Sequence, residues 1–323
     1  MLSIQIRPAV LVAGILLAVA QGALAKNVKV TPLGSHDGEF CRFDRALILE
    51  DPDGTRLLYD AGRTVAGPDD PRLGRIDVVL VSHMHGDHVG DRHVKRVNAG
   101  DCGEPEVSET ATPNTNSVNI ALAKKAAIVT GSEMPKFFAA KLEALGGDPG
   151  AAQLVRFGGS RKVGGVTVTT VPAVHSNGIA GAMIGGELGD MLDAAGLTAY
   201  AGPPTGYVLG FSNGLVVYLS GDTGITAEQD AVVRRHYGAK LVVINIGDTF
   251  TTGPKQAAWV VNELIRPAAV IPSHANEAAT RGGKVIAGTR TDVFIKATPV
   301  PVHVPLSGRT MEFDTSGRCV AGC

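Results

Sequence analysis

The 323-residue sequence is short of several things at once. Aromatic residues make up 5% of it, with a single Trp, and charged residues make up 19%. Lys and Arg number 30 against 31 Asp and Glu, a formal net charge of −1. That balance lacks the basic surplus needed to neutralise a phosphate backbone, so no nucleic-acid polymer is expected as a partner. No low-complexity tract, collagen-like period or heptad pattern is present, which removes disordered, fibrous and coiled-coil readings. The one Gly-x-Ser-x-Gly match, Gly210 to Gly214, falls in a turn between two predicted strands and not at the strand-to-helix turn that presents a serine nucleophile. The cysteines number four and include no C-x2-C pair, so a four-cysteine zinc site is disfavoured. Beyond the first 25 residues no stretch is apolar enough to cross a bilayer. What remains is an ordinary globular composition, 44% hydrophobic, with 41 Gly and 18 Pro to punctuate many tight turns.

The N-terminus reads differently. Arg7, an apolar run over 9–20 and the ending Ala23-Leu24-Ala25 have the layout of a secretory signal peptide, residues 1–25. The run falls short of the roughly 20 residues of a transmembrane helix. Residues 26–323 are then expected to form one exported domain, periplasmic or secreted. In an oxidising compartment an even cysteine count suggests disulfides. Cys41–Cys102 with Cys319–Cys323 is the favoured pairing, and unpaired buried thiols are the alternative.

Short β-type runs recur along the mature chain. Those at 28–33, 46–49 and 56–59 read as a meander, with Asp51-Pro52-Asp53-Gly54 as the turn between the last two. Residues 76–82 (IDVVLVS) form a nearly continuous apolar run, as in a strand buried on both faces. A strand at 127–130 precedes helical spacing over 135–145. Strands follow at 166–171, 206–211 and 215–220, the last two joined by Ser212-Asn213-Gly214. Helix, strand, helix and strand then occupy 227–237, 241–245, 253–264 and 268–271. Each half therefore begins with hairpins and ends in strand–helix alternation, which suits two packed sheets with helices outside. The Gly/Ala-rich stretch 178–206 reads as an insertion, in which Met183, Met191 and Leu192 offer either a lid or local packing.

The chemistry gathers after the buried strand, in His83-Met84-His85-Gly86-Asp87-His88. Imidazole and carboxylate together suit zinc, iron or manganese. His83 and His85, two apart on extended chain, can face the same way. A bend at Gly86 turns Asp87 and His88 into the next helix, toward a neighbouring position. Such spacing holds two ions side by side better than one.

This segment resembles the HxHxDH signature of the metallo-β-lactamase superfamily. The resemblance calls for a His, an Asp and a His further on, at strand ends. His175 ends 171–175, Asp222 ends 218–222, and His274 ends 270–274. Upstream, Asp60-Ala61-Gly62 is similar to the family's strand-ending Asp-x-Gly. The resemblance implies an α/β fold, the four-layer αββα sandwich, with the ions at one edge of the sheets. It implies His83, His85 and His175 around one ion, Asp87, His88 and His274 around the other, Asp222 between them, and Asp60 steadying the ligand loop. Asp222 stands where many zinc β-lactamases carry Cys. Residues 244–254, Ala257-Ala258 and 270–274 resemble the branch related to ascorbate-6-phosphate lactonase.

The expected activity is hydrolysis of a small ester, lactone or phosphoester by a hydroxide bridging two divalent ions, most readily Zn, with Mn or Fe as alternatives. Asp87 is placed to relay the proton, and Asp222 is the other catalytic carboxylate. A β-lactamase, a small phosphodiesterase and a non-catalytic metal-binding module are the competing readings. His36, in the Gly-rich loop after the first strand, and Asn177 and Thr251 near the ligands, are candidate substrate contacts, with turn or cap duty as their alternative. The oligomeric state is not legible.

Overall fold

The computed structural model describes residues 27–111 and 114–323, so the signal peptide expected over 1–25 lies outside the described residues. Fourteen of its strands build two sheets. β1 (Val28–Pro32), β2 (Leu47–Glu50), β3 (Arg56–Tyr59), β4 (Val78–Leu80), β5 (Ala127–Thr130) and β6 (Ala152–Leu154) belong to the first. β7 (Ser160–Val163), β8 (Val166–Pro172), β9 (Thr205–Gly210), β10 (Val216–Leu219), β11 (Leu241–Asn245) and β12 (Ala269–Ser273) make the second. β13 (Met311–Phe313) and β14 (Cys319–Ala321) return to the first. The spatial orders are β14-β13-β1-β2-β3-β4-β5-β6 and β12-β11-β10-β9-β8-β7. In each sheet the early strands pair antiparallel and the later ones parallel, with the change at β3/β4 and at β10/β11.

Alternation along the strands explains the layers. On β3, Leu57 and Tyr59 face the other sheet, while Leu58 faces outward beneath helices. On β10, Val217 and Leu219 face inward and Tyr218 outward. Three apolar clusters result: one between the sheets and one outside each of them. Three cores between four layers is the expected αββα sandwich.

The helices carry their own local reasons. α1 (Gly86–Val89) is a single turn closed by Gly90 at φ +77°. α2 (Asn116–Lys124) starts at Thr115, whose side chain accepts the Val118 N–H. α3 (Met134–Ala144) has Pro135 in its first turn and buries Met134, Phe138 and Leu142, spaced four apart, against the first sheet. α4 (Gly181–Ile184) and α5 (Gly186–Ala194) lie in the 178–206 segment. α6 (Pro254–Trp259) continues into a wider helical stretch, Val260–Ile265, and α7 (Arg290–Ala297) packs beside it over the second sheet. α2, α7, β13 and β14 carry no expectation from the sequence, which lacks strong periodicity there.

The structure joins Cys41 to Cys102 and Cys319 to Cys323, as the favoured pairing had it. For 178–206, read from the sequence as either a lid or local packing, the structure shows local packing at Met183. Met183 is buried with α3 in the outer cluster of the first sheet, Lys141 of α3 donates to the Ile184 carbonyl, and Met191 points to solvent. Ile179 and Met183 pack in that cluster, whereas Leu188, Leu197 and Tyr200 stay exposed like Met191.

Candidate metal centre

Parallel strands of both sheets end at one rim, and the chemistry-bearing residues follow those ends. Asp60 follows β3, His83 and His85 follow β4, His175 follows β8, Asp222 follows β10 and His274 follows β12. Two of these residues sit at left-handed backbone, Asp60 at φ +42° and His274 at φ +52°, conformations that non-glycine residues adopt at some cost. Gly221 has to be glycine. Its φ is +60°, and a Cβ there would lie 2.9 Å from the Thr205 carbonyl oxygen. Gly86 acts differently from the expected bend. It opens α1 without positive φ, and a Cβ would overlap the Asp91 carboxylate that Arg63 holds.

The seven expected ligands converge. His83, His85 and His175 form one group whose ligand atoms lie within 4.8 Å of one another. Asp87, His88 and His274 form a second, and Asp222 shares a third with His83 and His88. Asp222 stands between the halves. Its Oδ2 is 3.9 Å from His83 Nε2, 3.8 Å from His175 Nε2 and 3.0 Å from His274 Nε2, and its Oδ1 is 3.3 Å from His88 Nε2. His83, His88, Asp222 and His274 are buried; Asp222 and His274 nonetheless join the more exposed His85, Asp87 and His175 in lining a cleft of about 520 Å³. Phe43, Phe250, Arg42, Arg63, Asn276 and Arg290 line the rest of it.

The fit to cations rests on what these atoms lack. His83 Nε2 and His88 Nε2 are buried without a hydrogen-bond partner. Each ring's other nitrogen is engaged: His83 Nδ1 lies 3.0 Å from Ser82 Oγ, and His88 Nδ1 lies 2.8 Å from Asp60 Oδ2. Such pairing puts the ring proton on Nδ1 and leaves the Nε2 lone pair free for a metal. Asp60 also accepts the Ser82 N–H and O–H, so one buried carboxylate fixes both the ligand loop and a ligand.

The surrounding carboxylates also favour positive charge at His88, as a second ring proton on Nε2 that a metal ion would displace. Burial alone would lower His88, but the carboxylates of Asp222, Asp60 and Asp87 outweigh it and raise its pKa to about 10. Burial lowers His83 well below the usual imidazole range, helped by the charge on His88. Burial would raise Asp222, yet His88 and His274 hold it well below the carboxylate range. Arg45 and His88 do the same for Asp87 against its own burial.

The candidate substrate contacts fall elsewhere. His36 is braced by Ser35 Oγ and the Gly100 carbonyl. Asn177 is buried, accepts the Met84 N–H and donates to the Ala201 and Gly202 carbonyls. Thr251 Oγ accepts the Gly247 N–H and donates to the Thr252 carbonyl. None of the three lines the cleft, because their polar atoms are spent on holding loops. Conversely, Arg45 has no counterpart in the sequence reading. It is buried, with Nη2 2.6 Å from Asp87 Oδ2 and 2.8 Å from His274 Nε2. Its only local signal is a charge directly before an apolar strand.

With this geometry in hand, likeness to known proteins can be stated. A family model described as a beta-lactamase superfamily domain matches residues 55–275. A metal-dependent hydrolase from Koribacter versatilis is 29% identical over 226 residues, 69% of this chain and 77% of its own. Another from Cupriavidus necator is 32% identical over 207 residues, covering 62% and 58%. Among solved structures, a metallo hydrolase from Ignicoccus hospitalis superposes with a TM-score of 0.56 at 20% identity over 88% of this chain and 99% of that one. The metallo-beta-lactamase fold protein YhfI from Bacillus subtilis gives 0.53 at 13%, over 88% and 98%. At such identities the structures speak for the fold alone.

Proposed function

Since the chain belongs to the metallo-β-lactamase superfamily and is a metal-dependent hydrolase, we propose that it takes two divalent ions, zinc foremost, and cleaves a small ester, lactone or phosphoester. The observation that carries this reading is the pair of ligand groups on either side of Asp222, with two buried imidazole nitrogens left free. Neutral imidazole and carboxylate are the donors zinc favours, and no thiolate is among them. His83, His85 and His175 would hold one ion and Asp87, His88 and His274 the other, with Asp222 common to both.

Divalent ions bound there supply Lewis acidity and make a water nucleophilic near neutral pH. The chain's own residues do the rest. Asp60 and Ser82 keep His83 and His88 in the ligating tautomer. Of the two ligand-set carboxylates lining the cleft, Asp87 is the more exposed, which places it to accept the attacking water's proton. The small cleft, and rim arginines already paired to Glu104, Asp91 and Glu277, favour a small molecule over a charged polymer.

The expected result of metal analysis is close to two ions per chain. The same protein should turn over at least one class in a panel of lactones, thioesters, β-lactams and phosphodiesters. Asp87→Ala should abolish that turnover with the circular dichroism spectrum retained, and undiminished turnover would remove Asp87 from the reaction. Export belongs to the same proposal, supported by two disulfides of a kind that persists in oxidising compartments. N-terminal sequencing of secreted material should begin at Lys26, and an intact Met1 would reject it.

A further inference from the structure

We propose that Arg45 guards the second half of this centre, so that the chain loads its ions in order. The His83–His85–His175 side fills first, and the Asp87–His88–His274 side fills only when the guanidinium moves aside. This rests on the two-ion reading above and adds a residue that no ligand motif contains.

Position is the first reason. Asp87 Oδ2 and His274 Nε2, two of the three ligand atoms of that half, are 3.5 Å apart. Arg45 Nη2 lies 2.6 Å from one and 2.8 Å from the other, and 3.1 Å from Asn276 Oδ1. An ion at the usual distance of about 2.1 Å from both atoms would sit no more than about 3.2 Å from Nη2. A guanidinium cannot shed its proton, so the charge stays and repels a divalent ion at that range.

Hydrogen bonding is the second reason. Arginine only donates, so His274 Nε2 accepts from it and spends the lone pair a metal requires. The first half has no such competitor. Among the described residues no Lys or Arg donates to His83, His85 or His175; their partners are Ser82, Ser176 and one another.

The third reason is that Arg45 is only lightly held. Its Nε and Nη1 are buried without partners, so Nη2 alone anchors the group. Arg45 already lines the cleft beside Arg42 and Arg63, and rotation into that open space frees Asp87 and His274 together. Its backbone is fixed: Asp44 next to it accepts the Ser35 and Cys41 N–H groups, and Cys41 is tied to Cys102. The loop is rigid and the side chain is the moving part.

The test is a zinc titration of the full mature chain, stripped by chelation and followed with a competing chromophoric chelator, with bound ions counted by native mass spectrometry. Wild type should bind one ion and then a second, with dissociation constants at least about 100-fold apart. Arg45→Ala and Arg45→Met should bring the two within about tenfold by tightening the second step, leaving the first within about threefold of wild type. Two equal sites in wild type, or an unchanged separation in both folded variants, would overturn the proposal. Should both variants fail to fold, the wild-type titration decides alone: a single two-ion step refutes ordered loading. Failure of the hydrolase reading looks different, since a protein that loads in order yet cleaves nothing on the panel leaves the role of Arg45 standing.

Discussion

Replacing Asp60 by Asn exchanges one oxygen for an amide nitrogen and conserves shape, yet three donors converge on this carboxylate. Oδ1 accepts the Ser82 N–H at 2.8 Å; Oδ2 accepts the Ser82 hydroxyl at 2.7 Å and the His88 Nδ1–H at 2.8 Å. Asparagine offers one acceptor oxygen. Turned toward the Ser82 N–H, it sets its own NH2 against the Nδ1–H of His88, which must move its proton to Nε2, the nitrogen left free for a metal. Flipped, it leaves a buried backbone N–H facing an N–H. Losing one hydrogen bond to a charged acceptor costs about 1.5–3 kcal/mol. Outer-shell carboxylate losses typically weaken metal binding by about 10–100-fold.

Asp60→Asn should therefore lose about 1.4–2.8 kcal/mol of zinc affinity. The metal-free protein should lose about 2–3 kcal/mol of stability in urea. Ser82→Ala, which removes one donor to Asp60 and the acceptor of the buried His83 Nδ1–H, should cost about 1–3 kcal/mol on the stability axis. The assays are chelator competition and urea unfolding of the same preparations. Zinc affinity in Asp60→Asn within twofold of wild type would refute the claim that this carboxylate sets the tautomer of His88.

Other expectations follow from separate parts of the molecule. Tyr207 is fully buried between the sheets and donates to the Val81 carbonyl at 2.6 Å, so Tyr207→Phe should cost about 1–2 kcal/mol in urea unfolding. Burial would raise the Asp70 carboxyl, but Arg72 and the Ala66 and Arg72 N–H groups hold it below its ordinary value near 3.8. Its contribution is thus complete above that value and lost as pH falls through the depressed one; Asp70→Asn should flatten the acid limb of stability below about pH 4. Cys41→Ser with Cys102→Ser opens a bridge spanning 61 residues and should lower stability by about 2–4 kcal/mol, read as a shift in the urea midpoint. At free zinc 100-fold above the dissociation constant each filled site adds about 2.7 kcal/mol, so chelation should lower the thermal midpoint by several degrees, and an unmoved midpoint would argue against a folded-state metal site.

The readable part of this protein shares one physical property: its signals are local. A buried strand announces itself by continuous apolar residues, as 76–82 does, and the ligands sit at the last residue of such a run or just past it. Tyr207 and Asp60 each lie on or beside a strand the pattern marks, so the sheets and their rim follow from the chain itself. α2 and the C-terminal strands were harder to read because their support is tertiary. β13 is three residues long and exists by pairing with β1, nearly 300 residues earlier. For His36, Asn177 and Thr251 the sequence leaves substrate contact and turn duty open, and the structure shows them holding loops. Only Asn177 stands near a ligand in sequence, and the hydrogen bonds of all three run to carbonyls and amides of loops.

Arg45 combines both difficulties. Its contacts are with residues 42 and 229 positions away, and no periodicity or spacing links it to them. What betrays it is an energetic oddity that only coordinates expose, a buried guanidinium with two idle nitrogens whose third sits on the ring nitrogen of His274. Asp60, Asp87 and Asp222 bring more negative charge into this rim than a low-dielectric interior tolerates without cations. The Arg45 guanidinium meets part of that demand until an ion replaces it at Asp87 and His274.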